Sequence, residues 1–224
     1  MIQLYNYYRS SASFRVRIAL NLKELDYQEI PINLLKGEQH SAEYKAINPQ
    51  GLVPTLKMGD ITLSQSLAII GYIDELHPHP PLLPKDAYLK AQVRAFALAI
   101  AADIHPLNNS GTLQYLMKEI GLSEQQKTAW YQHWVAKGLQ ALENILAAKK
   151  EQHDFCYGNT ATLADICLVP QLYNARRFLC DVSLYPNLVR VDAHCQQHPA
   201  FIKAWPIETS PEREGIKLAL IFDY

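Results

Sequence analysis

A chain of 224 residues, 49% hydrophobic and 19% charged, carries enough apolar material for a packed core and falls outside the disordered class. Its 21 Lys and Arg against 22 Asp and Glu leave a formal charge of −1, which offers no net attraction to nucleic acid or to an anionic lipid surface. No apolar run approaches the roughly 18–20 residues of a membrane span, and the opening MIQLYNYYRSSASF reads as mature structure rather than a signal peptide, so a soluble cytoplasmic protein is expected.

In chain order, Ile2, Leu4 and Asn6 alternate with Gln3, Tyr5 and Tyr7 at the period of a strand. Ser10 and Ser11 then precede Phe14, Val16, Ile18, Ala19, Leu22 and Leu25, spaced for an amphipathic helix. Tyr27 to Leu34 reads as a second strand. Leu52 to Lys57, the turn Met58-Gly59-Asp60 and Ile61 to Leu63 read as a hairpin, and Ser64-Gln65-Ser66 caps a helix over Leu67 to Leu76. The proline-rich run from His77 to Pro84 suits a semi-rigid linker. Beyond it the pattern is helical. A helix over Ala87 to Ile104 should break or bend at His105-Pro106, and another runs from Ser123 to Lys149. Thr162-Leu163-Ala164-Asp165 is a capping box opening a helix from Leu163 to Phe178, a folding signal rather than a catalytic one. Shorter helices follow at Pro186 to Gln197 and Pro199 to Trp205. The expectation is an α/β domain over residues 1–84 and an all-helical domain over 85–224.

Cys156, Cys167, Cys180 and Cys195 form no CxxC pair and no zinc-spaced set with histidine, so free thiols in a reducing compartment and no metal are expected.

Three features of the first domain suggest chemistry. Val53-Pro54 precedes a strand, where proline cannot donate to the ladder, and its peptide is a candidate for the cis form. Gln65-Ser66 at a helix N-terminus is either an ordinary cap or an anion site. Ser10, Ser11 and Ser13 cluster hydroxyls at another helix N-terminus, where a thiolate or carboxylate is stabilised, with Arg9, Arg15 and Arg17 adding positive charge unless the last two point to solvent.

The segments YRSSASFRVRIALNLK, NPQGLVPTL and QSLAIIGYIDE together resemble the thioredoxin-like domain of glutathione transferases, most closely the zeta class, and DIHPLNN, TLADICLVPQLYNARRF and YPNL extend that resemblance over roughly residues 2 to 210. The resemblance implies the glutathione transferase fold, with an α/β thioredoxin-like N-terminal domain and an all-α C-terminal domain, and a homodimer. It also implies glutathione as cofactor and cis–trans isomerisation of a doubly carboxylated diketo acid, maleylacetoacetate first and maleylpyruvate as the alternative. A general glutathione transferase or a non-catalytic binding protein of the same fold are the further alternatives. By the resemblance, Ser10 is the thiolate donor, with Ser11 assisting or replacing it. Val53, Gln65, Ser66, His105 and Asn109 are implied as glutathione contacts, and Gln39 or His40 could reach its glycine end. Arg9 and Arg177 match substrate-binding arginines, Arg176 being one helix step away from the latter. Tyr5, Tyr7 and Tyr8 are then packing residues. One departure stands out: the zeta pattern usually reads Ser-Ser-Cys, and here the third position is Ala12, so no thiol can act there.

Overall fold

The computed structural model describes residues 1–206. The expected second domain runs to 224, and its stretch 207–224 lies outside the described residues. A four-stranded mixed sheet carries the first part of the chain: β1 (Ile2–Asn6), β2 (Tyr27–Pro31), β3 (Thr55–Met58) and β4 (Ile61–Ser64), in the order β2-β1-β3-β4. β1 runs parallel to β2 and antiparallel to β3, and β3 and β4 form the expected hairpin. Helix α1 (Ser11–Leu22) crosses over between the two parallel strands. α2 (Ala42–Ile47) and a one-turn 3-10 segment, Glu38–His40, lie in the connection before β3, and α3 (Ser66–Leu76) follows β4.

The rest is helical: α4 (Ala87–Leu98), a π-helical turn (Ala99–Ile104), α5 (His105–Asn108), α6 (Ser110–Lys118), α7 (Glu124–Ala147), α8 (Leu163–Arg177), α9 (Pro186–Cys195) and α10 (Pro199–Ala204). This is the thioredoxin-like plus all-helical architecture. Among the described residues, no helix is long and apolar enough to cross a membrane.

Several boundaries differ from the sequence expectation for identifiable reasons. β2 ends at Pro31 rather than Leu34. It is an edge strand, where a residue without an N–H is tolerated, and the chain then turns at Asn33. β3 begins only at Thr55, after Pro54. The helix over Ala87 to Ile104 does not break at Pro106. It widens into the π turn, the His105 N–H reaches Ile100 O, and Pro106 falls in the first turn of α5, where its missing N–H costs nothing. α2 and α6 lie outside the expected elements, and Ser41 and Asn109 cap them through Tyr44 N and Thr112 N.

The largest correction concerns α1. It is buried on almost every side, Ala12 excepted, because it packs against α3, α8 and α10 rather than lying on a surface. Phe14, Ile18 and Leu20 have no exposed area, and they share one core with Leu4, Leu56, Ile69 and Ile70. Arg15 and Arg17 are therefore buried as well, 1% and 3% exposed, and do not form a solvated basic face. Lys23, also buried, ties the proline-rich run to the sheet domain: its Nζ meets Asp74 Oδ1 and the carbonyls of His77 and Pro80. Leu82 O then accepts from Leu163 N at the start of α8. All four cysteines are free, three of them buried.

Candidate active site

Strand register brings the three sequence features to one end of the sheet. Tyr5 on β1 pairs with Thr55 on β3, which pairs with Ser64 on β4. The turn after β1, the Val53-Pro54 segment before β3 and the Gln65-Ser66 entry to α3 therefore all leave the sheet at that end. It is the C-terminal end of the parallel strand β1, where α/β folds gather ligands.

Ser10 is the N-cap of α1, and its Oγ accepts from Ser13 N at 3.2 Å. Its own O–H is left to donate. Ser11 and Ala12 are the first residues of the helix, so their N–H groups have no acceptor within it. No acidic residue sits in that first turn. The result is a positive, partly exposed terminus suited to a thiolate or carboxylate. Ser11 is different: it is 2% exposed, and its Oγ lies 3.2 Å from His105 Nδ1 of the helical domain. Burial, with Arg15 nearby adding its charge, pushes the His105 pKa down to about 3, so the ring is neutral at physiological pH.

The π turn sets His105 in this position. A Cβ on Gly138 of α7 would come within 2.3 Å of Ile104, so glycine lets α7 close against the residue before His105. Trp130 Nε1 also holds α5 by donating to Leu107 O at 2.8 Å. π turns of this kind recur at functional sites, and residue periodicity gave no sign of this one. Asn109 sits at the start of α6, with Oδ1 accepting from Thr112 N and Nδ2 donating to Pro106 O. Its first role is that of a cap.

The Val53-Pro54 peptide is cis. The loop before it is fixed by a buried polar network in which Tyr44 Oη and Asn48 Nδ2 both donate to Leu52 O, at 2.7 and 2.8 Å, and Thr55 Oγ1 joins the same groups. Gly51 takes φ +62°, and a Cβ there would lie 2.9 Å from Gln39 O. Gln39 is thereby brought beside this loop. Its Oε1 is buried without a hydrogen-bond partner. Gln65, at φ +69°, holds a left-handed conformation costly for a non-glycine residue, and its Nε2 donates to Gln50 Oε1 at 3.0 Å. Gln50 was not singled out in the sequence, although it lies within NPQGLVPTL. Ser66, 6% exposed, starts α3, whose first turn also lacks an acidic residue.

Arg9 donates from Nη2 to Tyr7 Oη at 2.9 Å, and its guanidinium lies over the Tyr7 and Tyr8 rings. Those tyrosines thus orient an arginine beside the serine turn as well as packing. Tyr5 packs on Tyr44. Arg17 is structural: it donates to Asn6 Oδ1, Tyr8 O and Ala204 O. At the end of α8, Arg176 is engaged by Asp192 at 2.7 Å, whereas Arg177 is exposed and lies over the Tyr173 ring, which meets Phe14 of α1 edge-on. The helix step between the two arginines separates an interhelix tie from an exposed cation, whose Nη1 donates to Asn174 Oδ1 on the same helix.

Residues 4–81 match the family profile "Glutathione S-transferase, N-terminal domain", and residues 110–206 match "Glutathione S-transferase, C-terminal domain". A Vibrio cholerae protein named probable maleylacetoacetate isomerase is 48% identical over 211 residues, covering 93% of this chain and 97% of its own. A solved holo structure of maleylpyruvate isomerase, described as a bacterial zeta-class glutathione S-transferase, has a TM-score of 0.90 at 45% identity, over 91% of this chain and 96% of its own. The maleylacetoacetate isomerase of Methylobacterium extorquens AM1, solved with bound malonate and glutathione, gives 0.89 at 36% identity, over 93% and 98% of the two chains. With both halves matched and relatives of this identity over nearly the whole length, the chain belongs to the glutathione S-transferase family, in its zeta class.

Proposed function

We propose that the protein is a glutathione-dependent cis–trans isomerase converting maleylacetoacetate to fumarylacetoacetate in phenylalanine and tyrosine breakdown. One observation carries the reading: the Ser10 turn, the Val53-Pro54 segment and the Gln65-Ser66 terminus share one end of the sheet, with His105 reaching Ser11 from the helical domain. Two helix N-termini without a resident acid suit a peptide that carries a thiolate and carboxylates, and a buried Gln39 Oε1 lacking a donor suits an N–H of the same peptide.

Glutathione, when bound, supplies the thiol nucleophile for reversible addition to the carbon–carbon double bond. The chain's part is to favour the ionised sulfur. A thiol near pKa 8.5 is mostly protonated at neutral pH, and lowering it by one to two units takes about 1.4–2.8 kcal/mol. We assign this role to Ser10, whose oxygen is pinned by Ser13 N–H, whose hydroxyl hydrogen remains to donate, and which is more accessible than Ser11. Ser11 assists through its N–H. Its hydroxyl can serve as donor only in the tautomer where His105 Nδ1 carries the proton. Gln65 and Ser66 are assigned to the γ-glutamyl carboxylate and the Val53 main chain to the cysteinyl unit. Gln39, or His40, takes the glycine end, and His105 and Asn109 complete the site. Arg9 and Arg177 are assigned to the substrate carboxylates, for which a guanidinium fork is well matched.

We further assign the two domains to residues 1–84 and 85–224, with the linker at 77–84. A homodimer is supported by exposed Ile61 on β4 and Tyr88 and Leu98 on α4, and a cytoplasmic setting by the free cysteines. Maleylpyruvate is the second substrate candidate, favoured by Ala12 in place of the cysteine of the Ser-Ser-Cys pattern. The test is an isomerisation assay on both diketo acids with and without glutathione. Faster turnover of maleylacetoacetate that vanishes without glutathione is expected. Preference for maleylpyruvate would transfer the assignment to it, and turnover independent of glutathione would overturn both.

A further inference from the structure

Two arginines of α1, two positions apart, are both buried but differ in their partners. Arg17 donates to three acceptors, Asn6 Oδ1, Tyr8 O and Ala204 O. Arg15, 1% exposed, makes one long contact, Nη1 to Ser66 Oγ at 3.4 Å, and its Nε and Nη2 have no hydrogen-bond partner. Among the described residues no carboxylate forms an ion pair with it, the pairs being Lys23 with Asp74, Lys127 with Glu124, His153 with Glu151 and Arg176 with Asp192. A buried guanidinium keeps its proton, and without a counter-charge it is costly. Folding alone does not explain why the position is cationic.

What lies beyond Ser66 does. Helix α3 opens without an acidic residue in its first turn and without a side-chain cap, so its N-terminus favours an anion. Ser66 Oγ accepts from Arg15 Nη1, which leaves the serine's own O–H to donate elsewhere. We propose that Arg15 is the buried counter-charge of this anion site, a positioning residue that acts through Ser66 to hold the α-carboxylate of the γ-glutamyl group. The order of donors is Arg15 Nη1–H to Ser66 Oγ, then Ser66 O–H to the carboxylate. A bond reinforced by a charge behind it is stronger than a neutral one. The inference rests on glutathione being the cofactor.

The test compares glutathione with 4-aminobutyryl-cysteinylglycine, which lacks only that carboxylate, by titration calorimetry on the full-length protein. The wild type should bind glutathione more tightly than the analogue. Arg15→Met should weaken glutathione binding about tenfold to a hundredfold while leaving the analogue unchanged, so that the ratio of the two affinities collapses. Arg15→Gln replaces the charge with a polar group and carries the test if Arg15→Met does not fold. Arg15→Lys should recover most of the ratio. An unchanged ratio in a folded neutral variant, or equal weakening of both ligands, overturns the inference, as does an Arg15→Lys ratio no better than that of Arg15→Gln. A wild type that binds no glutathione overturns the cofactor reading itself, which separates the two failures.

Discussion

Helices α1 and α8 are each preceded by a hydroxyl residue, and their N-termini are completed in opposite ways. At α8 the chain closes the terminus itself. The Asp165 carboxylate, with no exposed area, accepts from Thr162 N and Thr162 Oγ1 through Oδ2 and from Cys156 N through Oδ1. At α1 the Ser10 oxygen takes one N–H, no carboxylate is supplied, and the next residue is braced from another domain by a neutral imidazole. The first arrangement spends its donors on folding. The second leaves donors and positive potential unspent by the chain itself. A sequence rich in Ser and Thr at helix starts does not by itself separate a cap from a site.

Asp165→Ala should bring the largest change. It strips the acceptor from two buried N–H groups and a hydroxyl, and at roughly 1–3 kcal/mol for each unpaired donor a loss of about 3 kcal/mol or more is expected in urea denaturation. Glutathione affinity of the folded fraction should not change. Ser10→Ala is the converse. Bound-thiol pKa, followed by thiolate absorbance, should rise by one to two units and turnover at neutral pH should fall about tenfold to a hundredfold, while stability drops by only about 1 kcal/mol. An unchanged thiol pKa would move the role to Ser11 or to the backbone.

Acid should affect the open terminus through His105. The native ring titrates near 3 and an unfolded one near 6.5, so as pH falls below 6.5 the unfolded chain takes up a proton that the native state refuses. The contribution is complete above pH 6.5 and is lost toward pH 3, amounting to about 2 kcal/mol between pH 7 and pH 5. His105→Gln should flatten that part of the stability profile, and an unaltered slope would assign it to other groups. The smallest effect is expected from closing α1 in the manner of α8. Ala12→Asp places a carboxylate in the first turn and should add about 0.3–1 kcal/mol of stability by the dipole term while weakening glutathione binding through competition for the same donors.

Much of the candidate site was legible in the sequence because its helix starts and its proline follow local rules. Ser10 read as a helix start and does cap α1, Gln65-Ser66 read as one although no side chain caps α3, and the proline before β3 marked Val53; the roles assigned to them came from the resemblance. Other residues gave no local sign. Gln50 matters through Gln65, fifteen positions away, and Gly138 through Ile104 on a different helix. Arg15 read as a basic residue near a helix start, free to face solvent, because the sequence does not reveal that α3, α8 and α10 all cover α1. The six residues of α2 are too few for an apolar period to stand out from the cap and turn beside them.

From 224 residues, 49% hydrophobic and nearly neutral, local propensity and patterning were enough to yield a β-α-β start, a hairpin, a proline-rich linker and a helical remainder, because each of those depends on neighbours within a few positions. Burial, and with it the meaning of each charge, was decided only by tertiary structure. Arg9, Arg15, Arg17 and Arg177 suggest in sequence a single positive cluster. In the folded chain Arg17 holds α10, Arg15 lies beneath Ser66, Arg9 rests on tyrosines beside the serine turn and Arg177 faces outward from α8. A charge acquires its function from what surrounds it, and those surroundings are assembled from segments far apart in the chain.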